Sequence, residues 1–159
     1  MNKKGFTLAE LLATILILGI VVGITVISVS GGFKNARKKT EDVFIKTIED
    51  ALDIYISSDG SKSNYSQFAC TINKKHGSVS VYKTSISFND VINSTYTPLR
   101  VEDMHNPANK DEANYNCNTN VNVTIYRDSD YVYYYKVNKA DFGCLNTTGY
   151  ITNLPSGCE

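Results

Sequence analysis

Residues 1–33 read MNKKGFTLAELLATILILGIVVGITVISVSGGF, and how this stretch is understood decides the fold. Between Phe6 and Phe33 the side chains are apolar, small or hydroxylic, with the single exception of Glu10. From Leu11 to Phe33 no residue carries a charge. That is about 23 residues, or roughly 35 Å of helix, enough to cross a hydrocarbon core about 30 Å thick. A removable secretory signal normally has an apolar core of only about 7–15 residues ending at a small-x-small site. Ser28-Val29-Ser30 before Gly31 offers such a site, but the core in front of it is too long. A carboxylate in lipid costs about 3 kcal/mol on the milder insertion scales, so Glu10 needs a physical reason to be there.

Lys3, Lys4 and the terminal amine favour a cytoplasmic N-terminus, whereas Lys34, Arg37, Lys38 and Lys39 after the run pull the other way. The long cysteine-bearing C-terminal region tips the expectation to N-inside, C-outside. Helical patterning continues beyond the apolar run. In TEDVFIKTIEDALDIYI, residues Phe44, Ile48, Ala51, Leu52 and Tyr55 share one face, and Lys46, Glu49, Asp50 and Asp53 take the other. Only Gly31-Gly32 interrupts, and glycine weakens a helix without necessarily ending it. The expectation is one helix from about Phe6 to Ser57, with a membrane helix hinged at Gly31-Gly32 as the alternative.

The chain has 159 residues, with 16 basic and 16 acidic side chains, so no general attraction to nucleic acid or anionic lipid is implied. It has 11 Tyr and no Trp, and it is rich in Asn, Ser and Thr from residue 57 onward. That composition suits a polar, strand-rich surface domain, and an AT-rich genome would produce it equally well. The four cysteines, Cys70, Cys117, Cys144 and Cys158, lie beyond the apolar run and form no C-x-x-C pair. His76 and His105 are not spaced from them as zinc ligands would be. Disulfides in an oxidising location are expected. Of the three connectivities, Cys70–Cys117 with Cys144–Cys158 is preferred because the second bridge closes a short terminal loop, but sequence does not choose among them.

The order of features near the start is specific: Lys3-Lys4-Gly5, then Phe6-Thr7-Leu8-Ala9-Glu10, then the apolar helix. This arrangement resembles the class III leader of type IV prepilins and type II secretion pseudopilins. The resemblance is close over roughly the first 33 residues, and a long helix followed by a small β domain is similar in outline. It implies cleavage between Gly5 and Phe6 by a prepilin peptidase, followed by N-methylation of the new Phe6 terminus. It also implies that Glu10 pairs with the terminal amine of Phe6 on a neighbouring subunit during assembly. An acid beside an ammonium is far less costly in hydrocarbon than an acid alone. Gly19-Ile-Val-Val-Gly23 matches the GxxxG pattern of close helix packing, with Gly19 and Gly23 as the packing positions. Family members often carry a proline part-way along this helix. Here the first proline is Pro98.

Beyond a Ser/Asp/Gly/Asn-rich linker from Ser57 to Gln67, three runs read as strands: Val79–Phe88, Val121–Tyr126 and Tyr131–Val137. The last two form a hairpin across Asp128-Ser-Asp130. Irregular structure is expected between Pro98 and Asn116. The fold class expected is α+β, a long N-terminal helix packed against a small antiparallel sheet. Its parts are a leader over 1–5, a transmembrane and filament-core helix over 6–33, an amphipathic continuation over 34–57 and a disulfide-bonded head over 58–159.

No Ser/His/Asp or Cys/His spacing, P-loop or zinc motif supports catalysis, and no cofactor is implied. Asp128 and Asp130, with Asp141, offer a weak alternative as a Ca²⁺ site. The N-x-[ST] matches at Asn64, Asn93, Asn122 and Asn146 reflect composition. The expected function is that of a structural filament subunit. Its implied partners are its own copies, related pilins, the prepilin peptidase and an assembly platform in the cytoplasmic membrane. It would be single-pass before assembly and surface-exposed afterwards, with nucleic acid not expected. The alternative is an anchored, non-polymerising adhesin.

Overall fold

A computed structural model describes residues 7–59, 63–109, 113 and 115–158, and the side chains of all of these except 23–31. The element order is α1 (Leu8–Ser58), β1 (Gln67–Lys74), β2 (Gly77–Ser87), α2 (Phe88–Ile92), β3 (Asn122–Asp128), β4 (Tyr133–Asn138) and β5 (Tyr150–Thr152). Short 3-10 turns occupy Val101–Asp103, Pro107–Asn109 and Lys139–Phe142. The fold is α+β. By its internal contacts the chain divides within α1 into Met1–Lys39 and Thr40–Glu159.

In the first unit the helix continues unbroken through Gly31 and Gly32, so the hinged alternative does not hold. The large apolar side chains described between Leu8 and Val22 are all exposed, as is Phe33. A helix that is apolar on every side has no solvated face of its own and calls for an apolar surrounding. Among the described residues no helix is long and apolar enough to cross a membrane.

In the second unit the same helix has a buried stripe. Phe44, Ile48, Ala51 and Leu52 are buried at the expected helical spacing, with Ile45 and Ile56 beside them and Tyr55 partly covered. Against this stripe lies a five-stranded antiparallel sheet in the order β1-β2-β3-β4-β5. Alternation along the strands sends Val123, Ile125, Tyr135, Val137 and Ile151 to the helix side. α2 is fixed by a capping box in which the Ser87 hydroxyl accepts from Asn89 N and Asp90 accepts from Ser87 N. It delivers Phe88 edge-on to Phe142 at 5.1 Å between centroids, closing one end of the core.

The opposite face of the sheet has a core of its own. Ile72, Val81 and Tyr126 are buried there beneath Cys158, with Tyr134 and Leu154 packed alongside. The segment after β5, at one edge of the sheet, therefore returns to β1 at the other edge, where Cys158 is bonded to Cys70. The second bridge is Cys117–Cys144. The preferred pairing, Cys70–Cys117 with Cys144–Cys158, is thus corrected. Cys144 follows the Lys139–Phe142 turn and faces the helix-side core, where Asn118 N donates to Phe142 O at 2.8 Å and brings Cys117 alongside.

The expected strand over Val79–Phe88 is β2, with Phe88 starting α2 instead, and the expected hairpin is β3–β4, in which Ile125 pairs with Tyr135 and Tyr126 with Tyr134. β1 and β5 are not among the strands expected from the sequence. β1 begins where a linker was expected to end, and β5 is three residues long. Within 98–116 the described residues hold two 3-10 turns and an isolated bridge between His105 and Asn116.

Candidate functional site

The N-terminal region of α1 begins with a reciprocal cap. Thr7 is the residue before the helix, and Glu10 is the third residue within it. Thr7 N donates to Glu10 Oε2 at 3.0 Å and Thr7 Oγ1 donates to the same oxygen at 2.9 Å. Glu10 N in turn donates to Thr7 Oγ1 at 3.3 Å. This T-x-x-E box satisfies backbone donors that the first helical turn cannot. It also places a negative charge at the positive end of the helix dipole. Both contacts from Thr7 use Oε2, and Oε1 has no hydrogen bond among the described residues. Gly5 and Phe6, on either side of the expected cleavage point, lie outside the described residues.

Gly19 and Gly23 both lie in α1. A Cβ built on Gly19 would meet nothing within 4 Å. The missing side chain leaves a shallow apolar notch between Thr14, Ile15, Leu18 and Val22.

The acidic hairpin turn considered for Ca²⁺ is held together by a lysine. Lys74 Nζ reaches Asp128 Oδ2 at 2.7 Å and Asp130 Oδ2 at 2.9 Å. Tyr134 Oη donates to the same Asp128 oxygen at 3.1 Å, while Asp130 N and Val132 N donate to Asp128 Oδ1 at 2.9 Å each. Burial pushes the Asp128 carboxyl up, but Lys74 and the donated hydrogen bonds outweigh it and leave its pKa below the ordinary value. Asp141 is in a different place, accepting from Asn138 Nδ2 at 3.4 Å in the Lys139–Phe142 turn. Among the described residues no group of three or more His, Cys, Asp or Glu side chains comes together as a metal site.

Sequence reasoning missed Glu41. It is 3% exposed on the buried face of α1, in phase with Phe44, Ile45 and Ile48. Its Oε1 accepts from Asn146 N at 3.0 Å and Thr147 N at 2.8 Å. Its Oε2 accepts from Asn146 Nδ2 at 2.8 Å and Asn106 Nδ2 at 3.2 Å. Asn106 and Asn109 both donate onward to Cys144 O, at 2.9 and 3.1 Å. Burial alone would raise the Glu41 pKa, but the hydrogen bonds from Asn146, Thr147 and Asn106 outweigh it and the pKa is lowered. The signal was present in the helical phase of residue 41.

Residues 1–26 match the family model described as the prokaryotic N-terminal methylation motif. This motif is the hallmark of the prepilin-type signal of type IV pilins and pseudopilins, a structural rather than an enzymatic class. The chain therefore carries a prepilin-type N-terminus. Neither the curated proteins nor the solved structures give a match.

Proposed function

We propose that this chain is a structural subunit of a type IV pilus-like or type II secretion pseudopilus filament. The observation that carries the proposal is the N-terminal methylation motif over residues 1–26. In this reading a prepilin peptidase cuts between Gly5 and Phe6 and methylates the Phe6 amine. Residues 6–33 hold the subunit in the cytoplasmic membrane with the head outside until an assembly platform inserts it into the filament. Its partners there are further copies and related pilins.

The cap at the start of α1 gives this reading a chemical basis. Thr7 uses Oε2 and fixes the orientation of the Glu10 carboxylate. Oε1 then accepts the methylated ammonium of a neighbour's Phe6, a cation that exists only after cleavage. In an apolar filament core that pairing strongly favours the axial register in which both charges are neutralised. The apolar surface of α1 and the notch at Gly19 provide the packing around it.

Intact-mass spectrometry of the native protein tests the reading. The expected mass corresponds to a chain beginning at N-methylated Phe6. A chain beginning at Met1 would refute the proposed processing.

A further inference from the structure

The head carries two exposed aromatic side chains, Phe68 and Tyr82, in one line with Arg127 and with Tyr133, which packs on the core beside Tyr65. Strand register puts Phe68 opposite Tyr82, Tyr82 opposite Arg127, and Arg127 opposite Tyr133. These four residues form one line across β1, β2, β3 and β4. They lie on the face that carries Ile125 but two residues further along β3, toward the hairpin turn. Phe68 and Tyr82 meet edge-to-face at 6.1 Å and remain 56% and 38% exposed. The Arg127 guanidinium lies 4.7 Å from the Tyr65 ring centre and 5.2 Å from that of Tyr131, which is 70% exposed. Tyr131 is held with φ 62°, a left-handed conformation unusual for a bulky residue. Among the described residues Arg127 has no carboxylate partner.

Water solvates exposed ring faces poorly, and a row of them is uncommon on a surface with no partner. Stacking on Tyr65 and Tyr131 holds Arg127 in place, and among the described residues its forked donors make no side-chain hydrogen bond. A fitting ligand has flat apolar ring faces at successive positions, hydroxyl edges for the Tyr oxygens, and a carboxylate for Arg127. We propose that this row binds an acidic polysaccharide, with uronic acid rings on Phe68 and Tyr82 and one carboxylate on Arg127. Single-stranded nucleic acid also stacks on aromatics, but it needs a basic track along its backbone. Here the neighbouring Lys83 points to the other face, and Lys74 is engaged by Asp128 and Asp130. The proposal does not depend on filament assembly, because the row lies wholly within the head of a single chain.

The test uses the full-length protein in a detergent without a sugar headgroup. Calorimetry and tyrosine fluorescence follow titration with an oligogalacturonate, a neutral cello-oligosaccharide and oligothymidylate. The oligogalacturonate is expected to bind with Kd below about 1 mM. Tyr82→Ser should weaken it severalfold, and Arg127→Gln should weaken it about tenfold and remove its salt dependence. Because Arg127 also packs on Tyr65, Phe68→Ser provides a second exposed variant, checked for an unchanged melting temperature and expected to weaken binding severalfold. Absence of oligogalacturonate binding would overturn the proposal. So would equal binding of the neutral sugar, tighter binding of oligothymidylate, or full affinity in folded Tyr82→Ser and Phe68→Ser proteins.

Discussion

α1 carries two glutamates whose carboxylates find their donors in opposite ways. Glu10 takes its hydrogen bonds from Thr7, at the start of its own helix, and its carboxylate is exposed with Oε1 unused by any described residue. Glu41 takes its bonds from two loops far away in sequence, at Asn106 and at Asn146-Thr147, and both of its oxygens are occupied. The side chains around them follow the same division. Near Glu10 the apolar residues face outward, and near Glu41 Phe44, Ile45 and Ile48 are buried against the sheet. A local cap leaves an acid ready to receive something from another molecule. A cage built from distant loops makes an acid part of one fold.

This contrast predicts that loss of Glu10 affects assembly and loss of Glu41 affects stability. The largest effect is expected from Glu10→Val. The variant should still be inserted and cleaved, yet be absent from sheared surface filaments, as judged by immunoblot. Wild-type levels there would remove the role proposed for Glu10.

Replacing Cys70 and Cys158 together by Ser should be the most destabilising change in the head. The bridged positions are 88 residues apart, and the chain-entropy model gives about 4.6 kcal/mol for a loop of that order. Denaturant unfolding would measure it. A loss under about 1 kcal/mol would contradict the staple described for the sheet.

Glu41→Gln comes next. It turns an acceptor toward the loops into a group with its own donors, at a cost of about 2 kcal/mol, or roughly 5 °C in melting temperature. It should leave processing at Phe6 unchanged. The pH dependence carries the sign of the same interaction. The Glu41 pKa is below its ordinary 4.5 in the folded chain, so the unfolded chain takes up a proton first as the pH falls. The stability it contributes is complete above that ordinary value and is lost as the pH falls through the folded pKa. Asp128 acts in the same direction. Melting curves between about pH 7 and pH 3 should therefore fall on the acid side, and less steeply in Glu41→Gln. An equally steep fall in the variant would mean that Glu41 does not contribute.

The smallest effect is expected at Lys46, which lies 3.1 Å from Asp50 and 3.5 Å from Glu49 on the exposed side of α1. Lys46→Ala should change stability by no more than about 0.5 kcal/mol. A larger change would indicate that this side of the helix is not simply solvated.

Much of this contrast was legible in the sequence, because helix and hairpin leave periodic signals. The Phe44, Ile48, Leu52 stripe and the alternation of Val123 and Ile125 both marked the faces that the structure buries. The T-x-x-E spacing of Thr7 and Glu10 was also present, as a cap that links the acid to its own helix. What could not be read depends on contacts between distant segments. β5 is too short to show a period, and the pairing of Cys158 with Cys70 follows from which strands form the two edges of the sheet. Glu41 was overlooked for a related reason, since the donors that make its burial tolerable lie in loops that follow the helix only much later in the chain.

The Cys70–Cys158 bridge has a mechanical consequence. It makes the chain from Cys70 in β1 to Cys158 one closed covalent ring. A pull applied between α1 and the residues around Cys158 passes from the helix through the segment before Cys70 and then across the sulfur atoms. The β2–β5 strands lie outside that load path and stay in register while it carries tension. The first part to yield is the docking of α1 on the sheet, so the head can lengthen under load without unravelling.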